Sequence, residues 1–232
     1  MSLTKVLQSK ANPEKAEINQ RFFKTGKGQY GEGDIFLGLS VPESRKIAKQ
    51  FSNISFKEIS KHLQSKYHEE RLTALLILVE KYQKSSKINK KQIIDFYLNN
   101  TKYINNWDLV DLTADKVLGH YLFNEKDKSI IYNLVKSDNL WERRIAIIST
   151  FYFIKNNQFH DTLKISEQLL KDKHDLIHKA VGWMLREIGK RDEKVLENFL
   201  KKHYDTMPRT ALRYAIEKFP EDKRNRYLKR QV

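Results

Sequence analysis

Apolar residues recur three or four positions apart along the chain, which is the spacing of one face of an α-helix. The clearest examples are the segments 70–82, 141–153 and 176–188. No run of residues alternates between apolar and polar as a half-buried strand does. The four prolines lie beside predicted helix boundaries, where the first turn of a helix accommodates proline. The pattern predicts an all-α fold of about eleven or twelve helices of 10–18 residues, joined by short loops.

Alanines recur in every second predicted helix. They lie 40, 32, 34 and 31 residues apart, and one further predicted helix fits into each interval. A small residue at the same place in alternate helices lets paired helices pack closely, as in HEAT-type repeats. The sequence therefore predicts an α-solenoid of HEAT-like antiparallel helix pairs with a concave basic face, formed by residues 1–232 as a single domain. The alanines are Ala74, Ala114, Ala146, Ala180 and Ala211.

The charge balance bears on the partner of the protein. Of the 232 residues, 44 are lysine or arginine and 29 are aspartate or glutamate, which gives a formal net charge of +15. Such an excess favours a polyanionic partner such as nucleic acid. Because lysine is spread along the whole chain, a surface that merely promotes solubility is the alternative explanation.

Several classes of protein are excluded by composition. Cysteine is absent, which excludes disulfides, Cys-ligated metal sites and a cysteine nucleophile. The longest purely apolar run, 74–79, is far too short to span a bilayer. No charged and apolar leader opens the chain. We therefore expect a cytoplasmic protein without membrane contact.

Polar residues precede the repeated alanines. Four of the five positions supply a base, and the fifth supplies the carboxylate of Asp111. If these positions are equivalent, one helix of each pair contributes to a basic wall with a single carboxylate set into it. A wall of this kind suits a phosphate backbone. The basic residues are Arg71, Arg143, Arg144, Lys179 and Arg209.

One tryptophan shares a predicted helical face with that carboxylate. Trp107 and Asp111 are four positions apart, so they project from the same side of a helix. Asn106 precedes them and is a residue type that caps helix N-termini well. The sequence predicts an accessible pair of an aromatic ring and an acid.

A second tryptophan lies in a basic stripe. Trp183 follows Lys179 by four positions and precedes Arg186 by three, and Lys190 continues the stripe. The alternative for both tryptophans is ordinary core packing beside solvated charges, which is the commoner role of a tryptophan.

Two other patterns are weak. The GxGxxG pattern at 26–31 follows a helical stretch rather than a strand, which predicts a connecting loop rather than a nucleotide site. His174 and His178 imitate the zinc-binding HExxH pattern, but no third ligand is evident. We therefore expect neither a metal nor a cofactor.

Three segments in order, 105–111, 141–146 and 179–187, resemble the AlkD-type DNA glycosylases of the HEAT-like-repeat DNA alkylation repair family. Two N-terminal segments, 12–16 and 36–43, resemble that family as well. The chain also departs from the best-known form of the family. It has Phe22 where the family carries a tyrosine, Asn106 where that form has a second tryptophan, and a longer glycine-rich loop at 26–33.

The resemblance implies a monofunctional glycosylase that excises N3- and N7-alkylated purines, such as 3-methyladenine and 7-methylguanine, from double-stranded DNA without base flipping. It implies that Asp111 is catalytic, that Trp107 and Trp183 flank the sugar of the damaged nucleotide, and that Arg144 grips the backbone. We expect a monomer. The other predicted DNA-binding residues are Arg143, Lys179, Arg186, Lys190 and Arg45.

Such chemistry needs few parts. An alkylated purine is already cationic and leaves without a general acid, while a fixed carboxylate stabilises the oxocarbenium-like sugar and orients water. Two alternatives stay open: a non-catalytic HEAT-repeat protein that binds distorted or branched DNA, and a scaffold for an acidic protein. With about six phosphate contacts, log K for duplex DNA falls against log salt with a slope near −5, and a flat response excludes both DNA-binding functions.

Overall fold

The computed structural model describes residues 1–231. Within these residues the regular structure is helical, and the only extended pairing is an isolated bridge between Ile35 and Tyr67. The predicted all-α fold class is confirmed. The sixteen α-helical segments are α1 Leu3–Gln8, α2 Pro13–Phe22, α3 Val41–Gln50, α4 Phe56–Leu63, α5 His68–Lys84, α6 Lys87–Asn99, α7 Trp107–Asp111, α8 His120–Phe123, α9 Ser129–Leu134, α10 Leu140–Ser149, α11 Phe151–Lys155, α12 His160–Leu169, α13 Asp175–Gly189, α14 Glu193–His203, α15 Arg209–Ala215 and α16 Glu221–Leu228.

The segments are more numerous and several are shorter than the sequence predicts. The predicted helix 141–153 is interrupted at Thr150, which separates α10 from α11. The hydroxyl groups of Ser149 and Thr150 donate to the carbonyls of Ile145 and Ile147, both at 2.7 Å. Hydroxyls that bond back to the preceding turn compete with the helical ladder and bend the helix. No helix in the described part of the chain combines the length and the apolar character needed to cross a bilayer.

Tertiary contacts divide the chain into two compact units, the first from Met1 to Thr113 and the second beginning at Ala114. In the first unit α5 is the central helix, and α1, α3 and α4 pack against it. Its residues from 68 to 79 are all buried. The start of this helix is polar. The carboxylate of Glu69 accepts hydrogen bonds from the backbone amides of residues 37, 38 and 39, at 2.8–3.2 Å, and so fixes the segment that leads into α3.

In the second unit α13 is the central helix. It packs against α10, α12, α14 and α15. Successive contacts from α10 to α13 and from α13 to α15 join the helices that carry Ala146, Ala180 and Ala211. A Cβ atom on Gly182 would lie only 2.5 Å from the Ala211 carbonyl oxygen, so α13 and α15 approach each other closely. All five repeated alanines are fully buried, as expected of contact points between helices.

The glycine-rich loop between α2 and α3 is a series of turns. Gly28 and Gly33 adopt positive φ angles of 75° and 84°. Gly31 is required for a different reason, because a Cβ atom there would lie 2.4 Å from the carbonyl oxygen of Phe23. The loop thereby brings residue 34 back beside the end of α2, where it enters the site described next.

Candidate DNA-contacting site

Helix α7 presents two of its five residues to solvent. Leu109 and Val110 are fully buried and Asp108 is 6% exposed, whereas Trp107 and Asp111 are partly exposed. Residues four positions apart lie on one side of a helix. The structure therefore places the aromatic ring of Trp107 and the carboxylate of Asp111 on one accessible face, as the spacing predicts.

The residues on either side of Trp107 are anchored in the protein interior. Asn106 is the predicted cap: its Oδ1 accepts the backbone N–H of Trp107 at 2.8 Å, and its Nδ2 donates to Asp34 Oδ2 at 3.1 Å. Asp108 Oδ2 lies 2.8 Å from Nε2 of His68, the first residue of α5. The start of α7 is thus held from both sides of the exposed indole.

These contacts belong to a buried charge network formed by Asp34, His68, Arg71, Asn106 and Asp108. His68 Nδ1 lies 3.0 Å from Asp34 Oδ2, and the Arg71 guanidinium donates to Asp34 Oδ1 at 2.6 Å. Every member is at most 6% exposed. Two carboxylates face one imidazole and one guanidinium, so the network is electrically balanced when the imidazole is protonated.

The surroundings shift two pKa values in this network. Burial alone raises the pKa of Asp34, but the hydrogen bond from His68 and the charge of Arg71 outweigh it, so the pKa lies below its ordinary value. Burial alone lowers the pKa of His68, but the charge and hydrogen bond of Asp108 and the hydrogen bond of Asp34 raise it to about 9. The network therefore favours an imidazolium at neutral pH.

Aromatic rings connect the network to the exposed face. The ring of Phe23 stacks on Trp107 with centroids 4.9 Å apart and planes 7° apart. On its other sides Phe23 contacts His68 at 5.1 Å and Phe36 at 4.8 Å. Phe22, which is 62% exposed, meets Trp107 edge-on at 5.9 Å. The Trp107 indole is therefore held in place by the ring of Phe23, and the ring of Phe22 beside it faces solvent.

In the second unit, Trp183 lies partly exposed on α13. Its ring packs against Phe151 at 5.6 Å. The ammonium of Lys155 sits 4.1 Å from the centre of the Phe151 ring and pairs with Asp115 at 2.7 Å. The opposite face of α13 is buried apolar core, as the sequence predicts, and consists of Val181, Met184, Leu185 and Ile188.

The predicted basic wall with a single carboxylate is corrected in one respect, because several carboxylates accompany its bases. In the second unit four predicted DNA-binding residues form ion pairs: Arg143 with Asp172, Lys179 with Asp175, Arg186 with Glu217, and Lys190 with Glu187. Arg144 is buried and donates to the carbonyl of Leu176. In the first unit Arg71 is buried against Asp34, so it is a structural residue, and Arg45 is partly exposed on α3.

The two histidines of the zinc-like pattern have backbone partners. His174 Nδ1 accepts the amide of Leu176 at 3.1 Å and caps α13, while His178 Nε2 lies 2.6 Å from the carbonyl of Asp172. Among residues 1–231 no three histidine or acidic side chains are grouped so that they could hold a metal ion.

Sequence reasoning missed the residues behind Trp107. Neither His68, Asp34 nor Phe23 was singled out by spacing, because their partners lie far away along the chain. One signal was present. Four titratable residues, 68–71, stand shortly before the longest apolar run of the sequence, 74–79, and charged residues are rarely buried at the start of such a helix.

Comparison with solved structures finds the same all-α fold in bacterial proteins of low sequence identity. A predicted DNA alkylation repair enzyme from Enterococcus faecalis is 18% identical with a TM-score of 0.69, and the match covers 91% of this chain and 97% of that one. AlkD2 from Streptococcus mutans is 17% identical with a TM-score of 0.59, covering 95% and 100%. The protein smu.31 from Streptococcus mutans UA159 is 18% identical with a TM-score of 0.51, covering 97% and 98%.

Comparison with curated proteins finds no match. The model of the family described as DNA alkylation repair enzyme, in contrast, matches residues 3–219. That span includes both tryptophans with accessible faces, the carboxylate of Asp111 and the buried network behind it. The chain belongs to the DNA alkylation repair enzyme family.

Proposed function

We propose that the protein is a monofunctional DNA glycosylase that hydrolyses the N-glycosidic bond of cationic N3- and N7-alkylated purines in duplex DNA. Membership of the DNA alkylation repair enzyme family supports a repair role. The single observation that carries the finer proposal is the exposed face of α7, on which Trp107 and Asp111 are the two residues, of the five in this helix, that reach solvent.

The chemistry follows from the charge of the substrate. A purine alkylated at N3 or N7 carries a positive charge, so it departs as a neutral base without a proton from the protein. As the bond to the purine lengthens, positive charge moves onto the deoxyribose. The Asp111 carboxylate stabilises that oxocarbenium-like charge and orients the water that attacks the sugar carbon, as carboxylates do in glycoside hydrolysis.

The aromatic residues favour the same charge. The face of an indole attracts a cation, by about 0.5–2 kcal/mol. Trp107, held by Phe23, offers such a face in the first unit. We propose that Trp183 plays the corresponding part in the second unit and that Arg144 and Arg143 bind the DNA backbone. Lys179, Arg186, Lys190 and Arg45 complete the proposed DNA contacts.

The proposal has no covalent enzyme intermediate, because water attacks the sugar directly. The products are the free base and an abasic site in an unbroken strand. Borohydride treatment during the reaction should therefore trap no protein–DNA adduct, and trapping would show a lyase mechanism instead.

The deciding experiment measures excision of a single 7-methylguanine from duplex DNA, with abasic sites revealed by alkaline cleavage. Asp111→Asn should slow excision by about 10²–10³-fold, since one preorganised electrostatic group is lost. DNA affinity should be retained. Asp95→Asn, an exposed acid on α6 of the same unit, is the matched control and should excise like the wild type.

If the wild type releases neither 7-methylguanine nor 3-methyladenine above the spontaneous rate yet binds duplex DNA in a salt-sensitive way, the glycosylase proposal is wrong. The protein is then a non-catalytic DNA-binding member of the family. If Asp111→Asn excises at the wild-type rate, the proposed catalytic residue is wrong even though the activity is right.

A further inference from the structure

His68 is a buried titratable group that the excision chemistry does not use. It is 1% exposed, and both of its ring nitrogens face carboxylate oxygens, Asp34 at 3.0 Å and Asp108 at 2.8 Å. Ionised carboxylates only accept hydrogen bonds, whereas a neutral imidazole has a single N–H. Both contacts are satisfied together only when the ring is doubly protonated.

The ring lies in a fully defined environment. The charged groups that face it are Asp34 from the loop before α3, Asp108 from α7 and Arg71 from its own helix. Phe36 stacks on it with centroids 4.4 Å apart. Loss of the ring proton leaves two buried carboxylates against one guanidinium, with a lone pair pointing at an oxygen, and a buried uncompensated charge is strongly unfavourable.

Two routes lead from this ring to the indole of Trp107. One is polar: His68 holds Asp108 directly and shares Asp34 Oδ2 with the amide of Asn106, so both neighbours of Trp107 depend on it. The other is aromatic, through the ring of Phe23, which contacts both His68 and Trp107. Asp111 follows one helical turn later on the same five-residue helix.

We infer that the His68 imidazolium is a positioning residue for the excision reaction: by clamping the first turn of α7, it sets where the Trp107 indole and the Asp111 carboxylate face the nucleotide. This inference rests on the proposed glycosylase function. The rate of excision then depends on the second ring proton of His68, although this proton is not transferred to the substrate. The protonated ring holds the helix in place, and the deprotonated ring releases it.

The sign of the pH dependence is fixed by the direction of the pKa shift. The pKa of His68 is raised to about 9 in the folded protein from an ordinary value of 6.5. The clamp is therefore complete below pH 6.5 and is lost as the pH rises through about 9. The proposed chemistry needs no other protein group to change its charge over this range.

The test is single-turnover excision with saturating enzyme between pH 6.5 and 10, which separates the chemical step from DNA binding. The wild-type rate constant should fall along an alkaline limb centred near pH 9. His68→Gln should lower the rate constant at pH 7 by about 10–100-fold, the usual effect of a small misplacement, and should have no such limb. A limb that belongs to the substrate would persist in the variant.

His62→Gln is the matched control. His62 is another histidine of the first unit, on α4, and its Nδ1 pairs with Glu70 at 2.6 Å. Within residues 1–231 the other hydrogen-bond partners of the Glu70 carboxylate are Thr4 and Ser65, so this pair does not reach α7. This variant should keep the wild-type rate constant and the alkaline limb. Equal rates and equal pH profiles in wild type and His68→Gln would overturn the inference.

A second readout does not depend on activity. In NMR titrations of the free protein, the His68 ring should titrate near pH 9, and the indole N–H resonance of Trp107 should shift with the same midpoint in the wild type but not in His68→Gln. If excision is absent and this shift is present, the proposed function is wrong, but the positioning of Trp107 by His68 is supported. If the indole does not respond to His68, the clamp is wrong whatever the activity.

Discussion

The two helices that carry the accessible tryptophans are held in opposite ways. Helix α7 has only five residues, and its first turn is tied to the interior by the buried charge network. Helix α13 has fifteen residues and is fixed by apolar packing and by the close approach at Gly182, while its charged groups other than Glu187 are at least partly exposed. Buried hydrogen bonds and ion pairs fix the position of α7, whereas close apolar packing fixes the position of α13.

The difference separates two tasks. A surface ion pair such as Lys179 with Asp175 contributes little to stability, so the ammonium can exchange its carboxylate for a phosphate at small cost. A buried pair such as Arg71 with Asp34 cannot be exchanged in this way, because breaking it leaves an unpaired charge in the protein interior. The charges of α13 are therefore suited to binding DNA, and those behind α7 are suited to fixing geometry.

The largest expected effect contrasts these two ion pairs. Arg71→Met should lower the free energy of unfolding by about 3–5 kcal/mol, because Asp34 loses a buried partner. Lys179→Met should lower it by less than about 1 kcal/mol, because that pair is exposed to solvent. Urea denaturation followed by circular dichroism measures both. Equal losses of stability would remove the distinction between the two helices.

A smaller loss of stability is expected when the close packing between α13 and α15 is disturbed. Gly182→Ala should lower the free energy of unfolding by about 1–3 kcal/mol, because the new methyl group overlaps the Ala211 carbonyl and the Cβ of Tyr214. Gly26→Ala is the control, since its methyl group would meet only the flexible side chain of Gln29. If thermal denaturation shows the two variants to be equally stable, the tight packing at α13 is not what fixes it.

The smallest effect concerns exchangeable surface charge. Lys190→Gln should reduce the magnitude of the salt slope of duplex DNA binding by about 1, because one phosphate contact is lost. The variant should lose less than about 0.5 kcal/mol of stability, as is usual for surface substitutions. Lys91→Gln, on α6 and outside the proposed DNA contacts, should leave the slope unchanged. Fluorescence anisotropy at several salt concentrations distinguishes the two.

The parts of the molecule that follow local rules were predictable. Helical spacing predicted that Trp107 and Asp111 share a face, and the residue type of Asn106 predicted the cap. The apolar period predicted α13 to within a residue at each end. These features depend on contacts between residues within one or two helical turns of each other, so they can be predicted from the spacing of residues in the sequence.

The parts that depend on distant partners were not predictable. His68 meets Asp34 and Asp108 across 34 and 40 positions of sequence. The bend at Thr150 arises from hydroxyl groups that leave the apolar period unchanged, so the pattern shows one helix where the structure has two. The carboxylates beside the basic residues were missed for a similar reason, because Asp172 and Glu217 pair with Arg143 and Arg186 from 29 and 31 positions away.

The buried charge network also couples folding of the first unit to the pH. Its members come from three stretches of chain, around residue 34, at residues 68–71 and at residues 106–108. In the unfolded chain His68 has the ordinary histidine pKa of 6.5 and is mostly uncharged at neutral pH, whereas in the folded protein its pKa is raised to about 9. Folding of the first unit at neutral pH therefore takes up a proton. The contribution of His68 to the stability of this unit is therefore complete below pH 6.5 and is lost as the pH rises through about 9.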